Sequence, residues 1–505
     1  MNAFPSYTSF DPIPVPAPTP APARQRTVKG PSNSYDAART TDENKNHWAN
    51  ADALSVNSAN SPDVRQKLRN RSRYEAANNS YAKGLVCGRA DVTVGTCPRL
   101  QLSFPERYAD PDFERPTSPP AGLAREVELR WAEWCDRVGL ADKLRVMDRA
   151  ETRDGEAFAV LVNNPGLPED GVQLDLKLVE ADQVATPDFD VLDRDAVDGI
   201  KFDQAGNPVE YHVLRRHPGD QGWWGAASLV SDYDRVPASK VIHLFEPDRP
   251  GQARGVPALT PGLPLFGQLR RYTLASLGAA ELAAMIAGVI ESDYASPTVD
   301  EAPEIEAMDQ IPFARNALLT LPAGQKAKAF EGANPAPSYR EFKNEILTES
   351  GRTIGAPRNV STGSSADYNY SSGRLDQIDY QRTIQARRDR LRRIVLDRVF
   401  RAWAREAVAI PGYLPGGLPP LSSWRPLWRF DGFGSIDPVK EATANEIALN
   451  SGQTTLERVC AERGDDWEEV LEQQAREAQK RKALGLPEPA GKSSAAVTGG
   501  DAVND

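Results

Sequence analysis

From about Ser372 to Ala407 the chain reads as one long helix, and that helix limits what the rest can be. Leu391, Ile394, Val395, Val399 and Trp403 recur at helical spacing and form a stripe that must be buried. Between Arg374 and Arg405 the same helix carries ten arginines against four aspartates. Its fold therefore has to provide both an apolar partner and a home for a dense positive charge.

The segments before it supply candidate partners. Residues 61 to 83 predict a helix with a basic face of Arg65, Lys67, Arg69, Arg71 and Arg73, which on its own reads as solvated. Residues 123 to 150 predict another, carrying Leu123, Val127, Leu129, Trp131 and Trp134. Strand signals follow. Leu174, Leu176 and Leu178 alternate along Gln173 to Val179, and Gly199 to Val213 reads as a hairpin turning at Asp203 to Pro208. Val241 to Phe245 is a further short strand. The fold class is α+β. Pro264 to Glu291 is an Ala- and Gly-rich helix, read as buried within protein, whose small residues suit a core or close packing against copies of itself. A Pro-rich insertion spans 294 to 337, where Ala317 to Leu321 is expected to pair with Lys326 to Phe330. Ser338 and Glu341 fit a capping box at the start of the next helix, which Gly355 and Pro357 end. A polar loop from Arg358 to Tyr370 then leads into the long helix, and residues 438 to 484 are helical and acid-rich.

Composition narrows the function. The 505 residues suggest roughly three structural units at about 150 residues each. Hydrophobic content of 40% builds real cores, and the mean hydropathy of −0.52 is that of a soluble protein. Sixty basic against 71 acidic residues give a formal charge of −11, which disfavours a tight duplex binder because phosphate neutralisation drives such affinity. It leaves room for a protein that guides DNA without holding it. Cys87, Cys97, Cys135 and Cys460 form no C-x-x-C pair, so neither a disulfide framework nor a zinc site is indicated. Met1 to Arg26 lacks the apolar core of a signal peptide. The proline-studded first 30 residues and the small polar stretch after Pro487 are expected to be disordered. The apolar run from Leu274 to Ile290 is short for a membrane span and carries Glu281.

Catalytic signatures are weak. Gly485 to Ser493 imitates a phosphate-binding loop, but five residues separate its glycines and prolines interrupt it. None of His47, His212, His217 and His243 lies in H-E-x-x-H, and His212 and His217 read as surface residues at a strand end. No G-x-S-x-G elbow occurs. The reading is a non-enzyme with no cofactor and no metal.

Several strings in order resemble the lambda-type family of tailed-phage portal proteins, over about Ser34 to Leu486. They begin with S-Y-D-A-A (34–38), L-R-N-R-S-R (68–73), N-N-S-Y-A (78–82) and V-G-T (94–96). R-D-G-E-A-F (153–158), L-V-E-A-D-Q-V-A-T-P (178–187), D-G-I (198–200) and G-N-P-V-E-Y-H-V (206–213) follow. V-I-H-L-F (241–245), R-P-G-Q-A-R-G-V-P (249–257), N-Y-S-S-G-R (369–374), D-P-V-K-E-A (437–442) and the block 454–471 complete the series. Cys97-Pro98 departs from the Gly-like continuation expected after V-G-T.

The resemblance implies a ring-forming portal fold. It would comprise an α/β wing (31–261), a first stem helix (262–293), a small α/β clip (294–337) and a second stem helix (338–356). A tunnel loop (357–371), a long helix returning to the wing (372–436) and a helical crown (437–486) would follow, with disordered ends at 1–30 and 487–505. It implies a ring of about twelve copies at one capsid vertex, assembled in the host cytoplasm and carried in the virion. The expected partners are the terminase large subunit, major capsid and scaffold proteins, head–tail adaptors, and double-stranded DNA without sequence preference; no membrane is involved. The tunnel-loop set would be Arg352, Arg358, Asn359, Ser364, Ser365, Tyr368, Asn369, Tyr370 and Arg374, with the polar side chains touching phosphates weakly and the arginines adding local attraction. The arginines of the long helix would face the channel or pair with acids of a neighbouring subunit, and the second is favoured because stacked basic rings would trap DNA. The alternatives are another head–tail connector or minor capsid protein, or a packaging-associated nuclease.

Overall fold

The computed structural model describes residues 42, 45–47, 49–107, 122–186, 196–220, 232–285, 288–292, 325–329, 338–366, 368–434 and 437–487. Two units separate, Met1–Leu54 and Ser55–Asp505. The described part of the first holds isolated turns, one closed by Lys45 and Asp42 at 3.3 Å. The expected disorder of 1–30, and all but Pro487 of the tail, lie outside the described residues.

The second unit opens with α1 (Val56–Ala59), α2 (Pro62–Asn78) and α3 (Ser80–Val94). Asn79 divides α2 from α3: its backbone is extended and its Oδ1 accepts from the Tyr81 and Ala82 amides at 3.0 and 3.4 Å. After β1 (Arg99–Ser103) come α4 (Leu123–Val138) and α5 (Leu140–Asp154). The single helix expected over 123–150 is broken at Gly139, whose φ of 61° favours glycine. The strands are β2 (Glu156–Asn163), β3 (Leu174–Val179), β4 (Ala196–Val197), β5 (Ile200–Phe202), β6 (Pro208–Leu214), β7 (Tyr233–Pro237) and β8 (Val241–Phe245). They form a β3-β2-β8 sheet and a β4-β5-β6-β7 meander, with every pairing antiparallel.

Then α6 (Leu263–Met285) leads to β9 (Gly288–Ser292), which pairs antiparallel with β10 (Gln325–Ala329), Ala327 opposite Ile290. The helix expected to reach Glu291 thus stops earlier, and the second half of the expected hairpin pairs with β9; Ala317–Leu321 lies outside the described residues. The chain continues with α7 (Ser338–Arg352), α8 (Arg358–Thr362) and α9 (Tyr370–Leu391), a π turn (Arg392–Leu396), and α10 (Asp397–Ala409). The Ser338 side chain, and with it the expected capping box, lies outside the described residues. β11 (Arg425–Arg429) pairs with β1, and α11 (Pro438–Asn450), α12 (Leu456–Arg463) and α13 (Trp467–Ala483) close the series.

Three cores organise these elements. The largest joins α4, α5, the β2 sheet, β11 and the long helix. At its centre Trp131 meets Phe400, Trp403 and Trp428 edge-on at 5.4 to 5.7 Å. The π turn adds a residue to the helical register, and Leu391, Val395, Leu396 and Val399 all reach that core. A second core packs α3, the first turns of α6, α7 and α9 through Leu85, Phe266, Leu347 and Ile384. A third lies between the two sheets, around Phe158, Ile200 and Tyr211. Beyond Leu269, α6 leaves the core: Leu274 and Leu277 are 62% and 54% exposed, so the expected protein-buried helix is uncovered in a single chain. No described helix is long and apolar enough to cross a membrane.

The basic face of α2 is not solvated. Lys67 and Arg71 face water, but Arg65, Arg69 and Arg73 repeat every fourth residue and point inward. They enter an ion network centred on Glu156 at the start of β2. Arg254 grips the Glu156 carboxylate through Nε (2.9 and 3.0 Å) and Nη2 (2.7 Å), and also donates to the Val184 and Ala181 carbonyls. Arg69 pairs with Glu156 and Asp182, Arg73 with Asp154 and Asp182, and Arg65 with Asp198. His243 adds a bond to Glu156 at 3.0 Å, and the Gly255 amide another at 3.0 Å. Burial alone would raise the Glu156 carboxyl; Arg254, His243 and Arg69 outweigh it and hold it well below the ordinary carboxylate range. The strings R-D-G-E-A-F, E-A-D-Q-V, D-G-I, V-I-H-L-F and Q-A-R-G, separated along the chain, meet in this one cluster. His212 also corrects the surface reading: it is buried on β6, 3.2 Å from Glu210.

Candidate functional site

The polar segment after α7 is shorter than the sequence suggests, because its first third is α8. Gly351 permits that seating. A Cβ there would stand 1.8 Å from Ser361 Oγ and 2.6 Å from Ser361 Cβ, so α8 lies directly on α7. Ser361 is buried and donates to the Ala356 and Pro357 carbonyls at 3.3 and 2.9 Å. Gly351→Ala is expected to cost about 1–3 kcal/mol through overpacking, and Ser361→Gly in the same chain to recover most of it. Thermal melting of both variants checks this; a Gly351→Ala protein as stable as the parent would refute the contact.

Residues 363–369 then bridge α8 to α9. Gly363 ends α8 at φ 66°, and Asn369 caps α9: its Oδ1 accepts from the Ser372 amide at 2.9 Å while Ser372 Oγ accepts from the Asn369 amide at 3.3 Å. Tyr368 ties the two ends together. Its hydroxyl donates to Asp376 and accepts from the Asn359 amide at 3.3 Å, and its ring lies over Gly373, where a Cβ would be 3.2 Å away. Burial, then the Asp376 carboxylate, raises the phenol above its ordinary value and keeps it a donor. Tyr370 lies under the Lys440 ammonium, 5.0 Å from its ring centre, and Lys440 is fixed by Asp437 at 2.9 Å.

The expected site residues therefore divide by role. Asn359, Tyr368, Asn369 and Tyr370 are drawn together, and their polar atoms shape the loop. Ser364 and Ser365 are exposed at its tip, with Ser364 Oγ accepting only from the Ala366 amide at 3.3 Å. Arg358 is half-buried near Tyr368. Arg352, on the last turn of α7, and Arg374, on α9, are exposed and pair with no acid among the described residues. Asp376 and Lys440 were missed by the sequence reading. Asp376 sits two residues beyond the N-Y-S-S-G-R string, and Lys440 lies inside D-P-V-K-E-A, the only hint the sequence offered for either.

Seven of the ten arginines from Arg374 to Arg405 find partners within the described chain. Arg387 pairs with Asp148 (2.6 Å) and Glu151 (2.5 Å), and Arg390 with Glu151 and Glu246. Arg388 donates to the Thr93 and Val92 carbonyls and lies over Phe430 and Phe433. Arg382, Arg392 and Arg393 meet nearby aspartates, and Arg398 the Ala238 carbonyl. Only Arg374, Arg401 and Arg405 find no such partner among the described residues. The favoured reading of neighbour-subunit pairing is corrected for Arg387 and Arg390, whose acids come from α5 and from Glu246 just after β8.

Among the described residues one cluster has ligand-type atoms. Glu180, Asp182 and His217 bring theirs within 4.8 Å of one another. Arg73 stands 2.6 Å from Asp182 and 3.6 Å from Glu180, so the cluster is a limb of the ion network already balanced by arginine.

The described chain thus mixes helices with antiparallel sheets and holds a tethered polar loop between two helices. Residues 42–388 match the model of phage portal proteins of the lambda family. The chain belongs to that family. It is 24% identical over 458 residues to a probable portal protein of Halomonas phage phiHAP-1, covering 85% of this chain and 83% of that one. It is 22% identical over 465 residues to portal protein B of Escherichia phage lambda, covering 84% and 85%. Among solved structures it is similar to a chain in the virion of a native gene transfer agent particle, at 17% identity and a TM-score of 0.41, covering 83% of this chain and 94% of that one.

Proposed function

We propose that copies of this chain close into a ring of twelve at one capsid vertex, and that double-stranded DNA passes through the bore during packaging and ejection. Family membership supports the ring. In this reading 31–261 is the wing, 262–293 and 338–356 are the stem, 294–337 is the clip and 437–486 is the crown. The clip docks the terminase large subunit during packaging and head–tail adaptors afterwards, and the wing meets capsid and scaffold proteins.

The observation that carries the constriction is the loop tip at Ser364 and Ser365: two exposed hydroxyls, no aliphatic anchor, and both ends fastened by Tyr368 and Asn369. Hydroxyls offer passing contacts to phosphates without reading sequence. The internal pairing of most long-helix arginines favours a channel that does not trap its cargo, and a net charge of −11 per subunit adds like-charge repulsion. Arg352 and Arg374 remain as local attraction.

The test replaces Ser364 and Ser365 with Ala and leaves Asn369 intact, since losing that cap would itself cost about 1 kcal/mol of helix stability. Rings of parental size with severalfold less packaged DNA per capsid are expected. Full packaging by the double variant would remove the loop assignment. A parent protein that stays monomeric with its capsid and scaffold partners would remove the ring.

A further inference from the structure

Cys97 stands where the family resemblance led us to expect a Gly-like residue, and the fold gives it a partner. The segment Gly95–Pro98 links α3 to β1 and is held on two sides. Arg145 Nη1 donates to the Gly95 carbonyl at 2.7 Å; the Thr96 amide and hydroxyl donate to Asp431 at 2.6 and 3.0 Å. That tethering sets Cys97 against α4, where Cys135 is buried beside the tryptophan core. The two cysteines line one cavity of about 360 Å³, which also takes in Leu129 and Trp131 and is edged by Glu469 of α13. Cys97 is half-buried, and Cys135 lies behind it. Cys87, on α3, and Cys460, on α12, line no part of this cavity.

We propose that Cys97 and Cys135 form a modification site, a thiol pair that closes into an intrachain disulfide when the protein leaves a reducing compartment. The oxidant is a small disulfide such as oxidised glutathione. The Cys97 thiolate attacks one sulfur of the small disulfide, forming a mixed disulfide and releasing the other half as a thiolate. Cys135 then loses its proton to solvent and attacks the Cys97 sulfur, releasing the second half. Two protein thiols are oxidised, one small disulfide is reduced to two thiols, and the protons end on those thiols.

The environment fits this order. The neighbouring Cys135 thiol, helped by Arg145, holds Cys97 below its ordinary value, while burial pushes Cys135 up. The outer sulfur is thus the one that attacks first, and the inner one resolves, as exchange chemistry requires of a reactive and a sheltered thiol. The crosslink fastens the α3–β1 segment to α4. It closes a loop that includes β1, so the oxidised form is expected to melt several degrees higher.

The experiment treats the native full chain with oxidised glutathione, blocks the remaining thiols by alkylation and maps the peptides. Two of the four cysteines are expected to become unavailable, joined as a Cys97–Cys135 peptide with no glutathione retained. Cys135→Ser is expected to stop at a glutathionylated Cys97, and Cys97→Ser to leave Cys135 free. A parent protein that keeps four free thiols, retains glutathione on Cys97, or pairs Cys97 with Cys87 or Cys460 overturns the proposal. The parent measurement decides the matter even if a Cys135 variant fails to fold. It reads a bond and not an assembly, so its outcome is independent of the portal reading.

Discussion

Arg254→Ala is expected to destabilise the second unit by about 3–5 kcal/mol, the cost of breaking one side of a buried ion pair. Arg254 is 1% exposed and makes the central contacts to a Glu156 that is wholly buried. Its removal strands that carboxylate beside Arg69 and His243, which do not reach the Ala181 and Val184 carbonyls that Arg254 also satisfies. Arg254→Lys is expected to be nearly as harmful, because one ammonium cannot hold two carboxylate oxygens and two carbonyls in the planar fork of a guanidinium. Urea unfolding measures the loss. Adding Glu156→Gln to Arg254→Ala is expected to recover part of it, since the stranded charge is then gone. The pH dependence has a definite sign. Glu156 is depressed in the folded chain, so its stabilisation is present in full above its unfolded value of 4.5 and lost as pH falls toward the folded one. The gap between parent and Arg254→Ala is therefore widest near neutrality and narrows in acid. An equal gap at all pH values, or a variant within about 1 kcal/mol of the parent, would contradict the role given to this network.

That network shows what the sequence could and could not disclose. Local signals were legible: the hairpin at Gly199–Val213, the strand Val241–Phe245 and the long helix stand where alternation and helical spacing put them. The basic stripe of α2 was misread because a row of arginines looks the same whether water or carboxylates face it. Its partners lie at the end of α5, on β2, on the turn after β3 and on the turn after β4, far away in sequence. Only the four-residue spacing of Arg65, Arg69 and Arg73, set against Lys67 and Arg71, hinted that one side turns inward. The arginines of the long helix misled in the same way, since Asp148, Glu151 and Glu246 reach them through tertiary folding. At the candidate loop the polar composition was visible. The tether from Tyr368 to Asp376 and the seating of Ser361 on Gly351 were not, because both depend on where α8 turns back.

Gly255→Ala is expected to be as damaging as the loss of Arg254, by about 4 kcal/mol, through geometry rather than charge. At this point two backbones cross. A Cβ on Gly255 would stand 2.0 Å from the Gly155 carbonyl oxygen and 2.5 Å from its carbon. A Cβ on Gly155, whose φ is 91°, would stand 2.4 Å from the Val256 carbonyl carbon. Each glycine makes room for the other chain segment, and neither obstacle is a side chain that can swing away. The crossing sets the Gly255 amide 3.0 Å from Glu156 and aims Arg254 at the same carboxylate. Prising the strands apart by one methyl group therefore withdraws both donors together. A double-mutant cycle separates this account from simple crowding. If Gly255→Ala acts by pulling Arg254 off Glu156, then adding Arg254→Ala costs little more, and the double variant's penalty falls short of the sum of the two single penalties by about 3 kcal/mol. Full additivity would mean that the crossing and the ion network are independent, and that the glycines serve the close approach of the two segments alone.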